Sequence, residues 1–285
     1  LVIKLIIRFF KRVSENYFNR YIERTILNHQ NEIFNSIIVI RGEAFTPESV
    51  KKLKKAFPVA RFILYLWDSV NYTNTTKIFP YFDKILSFDR KDVERFNGLI
   101  HRPLFFIQEY EEINKTKPED IDIIFIGKIH SDRFKLIRRI EKYLMGSGFK
   151  TFFYLYFPSV VICFILKIFL KVFFKGSTIK ISSKVLSVKD TVDLLRRSKC
   201  SLDIHHPLQS GLTMRTIEVL GAKRKLITTN DDIKNYDFYS EDNILVINRD
   251  FEKLDPEFIF RPYTEIKNQI YIKYSLNWFL KDLLC

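Results

Sequence analysis

Cysteine is nearly absent, and the three present, Cys163, Cys200 and Cys285, share no repeated spacing and have no histidine at metal-ligand distance. That argues against a disulfide framework and a zinc site, and it suits a chain kept in a reducing cytoplasm. Glycine (8) and proline (9) are sparse for 285 residues, which excludes a collagen-like or loop-dominated protein. Neither the glycine-rich phosphate loop that ends in Gly-Lys nor a dinucleotide fingerprint occurs. Zinc-finger spacings and RNA-binding aromatic motifs are missing as well.

What is present is apolar. A hydrophobic share of 47% with 15% aromatics excludes disorder, and the length allows two domains with a sizeable core. The net charge of +14 is spread along the chain rather than gathered into a recognition helix. Phosphorylated substrates and anionic lipid fit that balance, and nucleic acid is not expected as a partner. The chain starts at Leu1 inside LVIKLIIRFFKRV, whose charges are interspersed and which no small-residue cleavage site follows. It reads as a helix of a longer protein rather than a secretion signal, so the first N-terminal strand or strands of the fold are expected to be missing.

Short apolar runs alternate with amphipathic stretches, the pattern of parallel β-strands with crossover helices. Ser36–Ile40, Arg61–Leu66 and Lys84–Phe88 read as strands. Thr46 and Pro47 open a helix to Ala56, and Asp89 caps Arg90–Phe96. A second set of strands is expected at Ile121–Ile126, Cys200–Ile204, Lys225–Thr229 and Ile244–Ile247, with Asp190 capping Thr191–Ser198. Residues 1–107 then form a first Rossmann-like unit, incomplete at its start, and 108–120, polar and broken by Pro118, a linker. Residues 121–262 form a second such unit, and 263–285 a closing helix that packs back.

Phe152–Phe174 is long and apolar, but Pro158 interrupts it and Lys167 and Lys171 sit four apart in its second half. Three readings stay open here: a helix lying on an anionic membrane, a core-packed helix with two solvated lysines, and a true span.

The most informative stretch is Ser210–Asn230, SGLTMRTIEVLGAKRKLITTN. It reads as a polar turn, a short helix holding Arg215 and Glu218, a second glycine and a buried strand. Such a turn aims free backbone N–H groups and a positive helix end at an anion. Lys128, His130 and Arg133 follow one strand and His205-His206 another, and ligands of open α/β sheets sit beyond such carboxyl ends. In the first unit Arg41, Glu43, Trp67, Asp68 and Ser69 cluster at strand ends. Asp120-Ile-Asp122 spells a D-x-D metal signature but enters a strand at the wrong end, and no metal is expected.

RGEAFTP (Arg41–Pro47), LYLWDS (Leu64–Ser69), FIGKIHSDR (Phe125–Arg133), LDIHHP (Leu202–Pro207) and Ser210–Asn230 together resemble a family of bacterial glycosyltransferases. These are the two-Rossmann-domain (GT-B) enzymes of lipopolysaccharide and capsule assembly, related to the spore-maturation type. The resemblance implies an α/β fold of two Rossmann-like domains facing across a cleft. It implies a donor diphosphate cradled by Ser210, Gly211, Leu212 and Thr213, with charge from Arg215, Lys128, His130, Arg133, His205 and His206. Glu218 would take the ribose hydroxyls. Only one Glu of the usual pair is present, because Ser210 stands eight residues before Glu218, so retention and inversion both stay open. On the acceptor side Glu43 and Asp68 are the candidate bases, with Arg41, Trp67 and Ser69 as contacts. No cofactor is implied beyond the nucleotide-diphosphate sugar as co-substrate, and the acceptor is a glycan or lipid-linked glycan at the cytoplasmic face of the inner membrane. A non-catalytic subunit of a polysaccharide complex and a basic nucleic-acid- or phospholipid-binding α/β protein stay open as other readings.

Overall fold

The computed structural model describes residues 11–285 except 74, 114–118, 175, 208 and 252. It divides into two compact units, Leu1–Pro103 with Leu280–Cys285, and Leu104–Phe279. The part of the opening basic segment at residues 1–10 lies outside the described residues, and α1 runs from Lys11 to His29.

The first unit holds four parallel strands in the order β1-β2-β3-β4: Ser36–Ile40, Arg61–Leu66, Lys84–Ser87 and Leu99–His101. β2 is buried along nearly its whole length, because a strand inside a parallel sheet has helices over both faces and needs apolar residues on each. Helix α2, Pro47–Ala56, starts at Thr46, whose hydroxyl accepts from the Ser49 amide while Ser49 Oγ accepts from the Thr46 amide. Helix α3, Val70–Thr73, takes its N-terminal carboxylate from a distance: the Val70 amide donates to Asp92 Oδ2 at 2.8 Å. Asp92 lies in α4, Arg90–Arg95, which Asp89 caps.

The second unit carries six parallel strands ordered β10-β9-β8-β5-β6-β7. They are β5 Ile121–Lys128, β6 Thr151–Tyr156, β7 Lys180–Ser182, β8 Ser198–Asp203, β9 Lys225–Thr228 and β10 Ile244–Val246, with helices α5, Gln108–Glu111, before β5 and α6, Arg133–Leu144, after it. From β5 the chain builds outward through β6 and β7, then returns to the other side of β5 for β8, β9 and β10. The winding therefore reverses between β5 and β8. Ile123, Phe125, Ile137, Phe153, Leu202 and Ile227 fill the core beneath. Cys200 is part of it, and burial pushes its thiol up to about 12, where it is a packing group and not a nucleophile.

Four expectations need correction. Phe152–Phe174 is not one segment: its first part is strand β6, the chain turns at Pro158, and Ser159 caps helix α7, Val160–Phe173. Alternation places Phe153 and Leu155 in the core, and the proline cannot donate to a ladder. No described helix is long and apolar enough to cross a membrane. Asp190 is not the cap of its helix, α8, Val188–Arg196; Ser187 is, and Asp190 closes the capping box three residues on. The polar stretch after 107 is not wholly linker, for Gln108–Glu111 is a helical turn with Tyr110 buried, while 114–118 lie outside the described residues. The closing segment is likewise broken, into Asn268–Tyr271, a 3₁₀ turn Ile272–Tyr274, and Leu276–Leu284. The break comes where Phe106 pairs with the backbone, its amide donating to the Tyr274 carbonyl and its own carbonyl accepting from the Leu276 amide.

Candidate functional site

Open α/β sheets bind ligands where the winding reverses, because the two flanking loops there peel apart and leave a crevice at the carboxyl edge. In the second unit that point lies between β5 and β8. Lys128 ends β5, His130 lies in the loop that follows and Arg133 opens the next helix, while the loop after β8 carries His205 and His206. The two meet: the His130 and His206 rings are 5.2 Å apart.

The turn into helix α9, Met214–Gly221, is built around Asp203, the last residue of β8. Its Oδ2 accepts from both the Thr213 and Thr216 hydroxyls at 2.8 Å, and Asp203 is 3% exposed. Thr213 in turn caps α9 by accepting from the Thr216 amide. Asn230, just past β9, donates to the carbonyls of Ser210 and Gly211. Three side chains thus fix the path of Ser210–Thr213, so that the first amides of α9, which lack partners inside the helix, are presented at the carboxyl edge. Leu212 is 1% exposed and offers only backbone there.

Arg133 has a different task from gripping a ligand. It is 9% exposed, Nε donates to the Ile204 carbonyl at 3.0 Å, Nη2 donates to the same carbonyl, and Nη1 donates to the Lys128 carbonyl at 3.0 Å. It ties the loop after β5 to the loop after β8. The absence of a side chain at Gly127 makes room for it, since a Cβ there would lie 2.7 Å from Phe125 and 3.1 Å from Arg133 Nη1. Arg249, beyond β10, makes a second tie: it pairs with Asp132 at 2.7 Å and donates to the His205 carbonyl at 2.5 Å. The ring of His205 is held by Thr229, whose hydroxyl lies 2.8 Å from Nδ1.

The imidazoles are kept neutral. Burial, then the Arg133 charge and the neighbouring His206, bring His130 down to about 4. Burial and Arg249 bring His205 to about 4, and burial with Arg133 and Arg249 lowers His206. Burial is the larger cause in each case, and the arginine charges add to it.

On α9, Arg215 Nη1 stands 2.8 Å from Glu218 Oε2, one helical turn apart, with both side chains largely buried. Burial, followed by the Glu218 charge, pushes the Tyr110 phenol up, so it stays protonated beside the pair. Arg215 Nε is buried without a hydrogen-bond partner among the described residues. An unspent buried guanidinium donor beside a capped helix start fits a diphosphate oxygen in charge and in geometry.

In the first unit, Arg41 follows β1 at φ 71°, a left-handed conformation that a residue with a Cβ adopts only under local constraint. Its guanidinium sits between two carboxylates, 3.1 Å from Glu43 and 3.0 Å from Asp68. Trp67 packs edge-on to Tyr65, with centroids 6.1 Å apart. Ser69 does not face outward as expected of an acceptor contact: it is 3% exposed and donates to Asp92. The D-x-D pair is structural, Asp120 bonding Arg197 and Asp122 bonding Lys199, both at the amino end of β5. No group of three or more His, Cys, Asp or Glu able to hold a metal occurs among the described residues.

No family model and no curated protein matches this sequence. Solved structures do. The N-terminal domain of Candida albicans trehalose-6-phosphate phosphatase aligns with a TM-score of 0.61 at 12% identity, over 93% of this chain and 73% of that one. TarM of S. aureus, solved with UDP, aligns at 0.55 and 11% identity over 91% and 58%. An alpha-glucosyltransferase solved with UDP and a 13-mer DNA aligns at 0.53 and 14% identity over 88% and 73%. The fold is GT-B. At these identities the likeness carries architecture only. The chain spans little more than half the length of TarM.

Within this GT-B frame, Lys128, His130, His205, His206, Ser210–Thr213, Arg215 and Glu218 converge on one edge of the second unit, with Arg133 behind them as a brace. Sequence reading missed four contributors. Arg249 follows a strand as the other candidates do, and the strand-end rule would have found it. Asp203 and Thr216 stand inside motifs already singled out, but their role needs the third dimension. Tyr110 lies in a polar stretch with no signal of its own.

Proposed function

We propose that the chain is a glycosyltransferase that moves a sugar from a nucleoside-diphosphate donor to a precursor of a surface polysaccharide or lipopolysaccharide. The observation that carries this reading is the combination, at the reversal point of the second sheet, of a braced helix start, a buried guanidinium with an unpaired donor, and imidazoles that burial, and after it the neighbouring arginines, hold low. In this reading the α9 amides, Arg215 and Lys128 hold the diphosphate and stabilise the charge that grows on it as the glycosidic C–O bond breaks. His130 and His206 donate N–H bonds to the same oxygens, and Glu218 accepts from the ribose. Fixed cations at the leaving group make a metal unnecessary. The acceptor hydroxyl attacks the anomeric carbon and gives up its proton to a base; on the first unit Glu43 and Asp68 are the candidate bases, and Arg41 and Trp67 the candidate contacts for the acceptor glycan. A lipid-linked acceptor places the reaction at the cytoplasmic face of the inner membrane.

Thermal unfolding in the presence of UDP-, GDP-, dTDP- and CMP-sugars tests the donor. One diphosphate sugar should raise the midpoint, with stabilisation of ~2.7 kcal/mol at a hundred times its Kd, and Glu218→Ala should abolish the shift. CMP-sugars, which lack the second phosphate, should do less. Equal behaviour of all donors, or none acting, overturns the reading.

A further inference from the structure

We propose that helix α7 is a membrane-surface helix whose outward apolar face sinks into the headgroup–acyl boundary of an anionic bilayer. This does not rest on the transferase reading. The 14-residue helix turns only a narrow stripe inward: Cys163 and Leu170 are buried, and Leu166 is partly buried against the same core. Every other apolar side chain on it faces solvent. Val161 is 68% exposed, Phe164 64%, Ile165 57% and Val172 58%; Ile168 lies between them and Phe169 at the edge of the same outward arc. A helix that solvent alone covers would carry polar residues there.

Charge selects the occupant. The stretch from Thr151 to Lys184 contains five lysines, Lys167, Lys171, Lys175, Lys180 and Lys184, and no Asp or Glu. On the 100°-per-residue wheel, Lys167 and Lys171 fall on one flank of the apolar arc, between it and the core stripe. From that flank their four-carbon stems can lie along apolar surface while the ammonium groups reach phosphates, the geometry of snorkelling. Lys180 stands exposed on β7, which packs against α7. A second copy of this chain on the same face would set lysines against lysines, within a protein already at +14. Anionic lipid answers both the apolar arc and the charge.

Co-sedimentation of the full chain with vesicles tests this, using phosphatidylcholine alone and phosphatidylcholine mixed with phosphatidylglycerol. Binding should appear with the mixture, weaken with added salt and fall by at least about tenfold in Phe164→Ser/Ile168→Ser. Lys167→Glu/Lys171→Glu should lower it as well. All four side chains are exposed, so the variants should keep the parent melting temperature, checked in parallel. In Ile168→Trp, indole emission should shift to the blue on adding the mixed vesicles. Absence of binding, or binding indifferent to both double variants, overturns the proposal. So does a dimer, seen by light scattering without lipid, that the Phe164→Ser/Ile168→Ser change dissolves.

Discussion

Replacing Arg133 with alanine separates a brace from a ligand. The guanidinium satisfies two backbone carbonyls, those of Ile204 and Lys128, and no acid pairs with it directly at salt-bridge distance among the described residues. Removing it leaves two acceptors in a poorly hydrated interior, each costing about 1–3 kcal/mol. Against that stands the relief of no longer desolvating a cation that burial already disfavours. The net expectation is a loss of about 2–4 kcal/mol, or a melting temperature lower by roughly 5–15 °C. Lysine, with a single point of donation, should recover only part of it. Thermal unfolding by circular dichroism, followed by donor titration at a temperature where the variant is folded, measures both quantities. An unchanged melting temperature with donor affinity down by about a hundredfold would refute the bracing role and return Arg133 to the diphosphate.

Four further outcomes are expected. Because His130 and His205 titrate near 4 when folded and near 6.5 when unfolded, the unfolded chain binds more protons between those values, so stability should fall as pH drops from about 6.5 to 4; a melting temperature flat across that range would contradict the arrangement. A bound diphosphate should raise those imidazoles, so calorimetric titration near pH 5.5 in buffers of different ionisation enthalpy should show proton uptake. Tyr110→Phe keeps the buried ring and removes the protonated hydroxyl beside Glu218, and should weaken donor binding by about fivefold without unfolding the chain. Gly221→Ala puts a Cβ 2.5 Å from the Phe106 ring and should destabilise by about 1–3 kcal/mol, with Phe106→Ala recovering part of that loss in the double variant.

Much of the fold was legible because local physics and tertiary role agree in this chain. The runs at Ser36–Ile40 and Arg61–Leu66 are apolar enough to mark parallel strands, the second of them buried along nearly its whole length, and Thr46-Pro47 announces a helix start by itself. The strand-end rule led to the loops that meet at His130 and His206. Legibility failed where a side chain's partner is far away in sequence. Strand β6 hid inside an apolar run because phenylalanine serves strand and helix alike, and only Pro158 marks the change. Arg133 and Arg215 look equivalent as basic residues near strand or helix starts. The carbonyl of Ile204, 71 residues on, makes the first a brace, while Arg215 keeps a buried Nε without a partner. Ser69 followed Asp68 into the candidate list, and Asp92, 23 residues later, draws it inward.

The most direct measurement is a calorimetric titration of the chain with a nucleoside diphosphate, set beside the matching nucleoside and repeated on Arg215→Met. With the diphosphate seated on the α9 amides, Arg215 and Lys128, the diphosphate should bind about a hundredfold more tightly than the nucleoside, and the variant should lose most of that difference. Equal affinity for nucleoside and diphosphate, or a difference that survives Arg215→Met, would contradict the site.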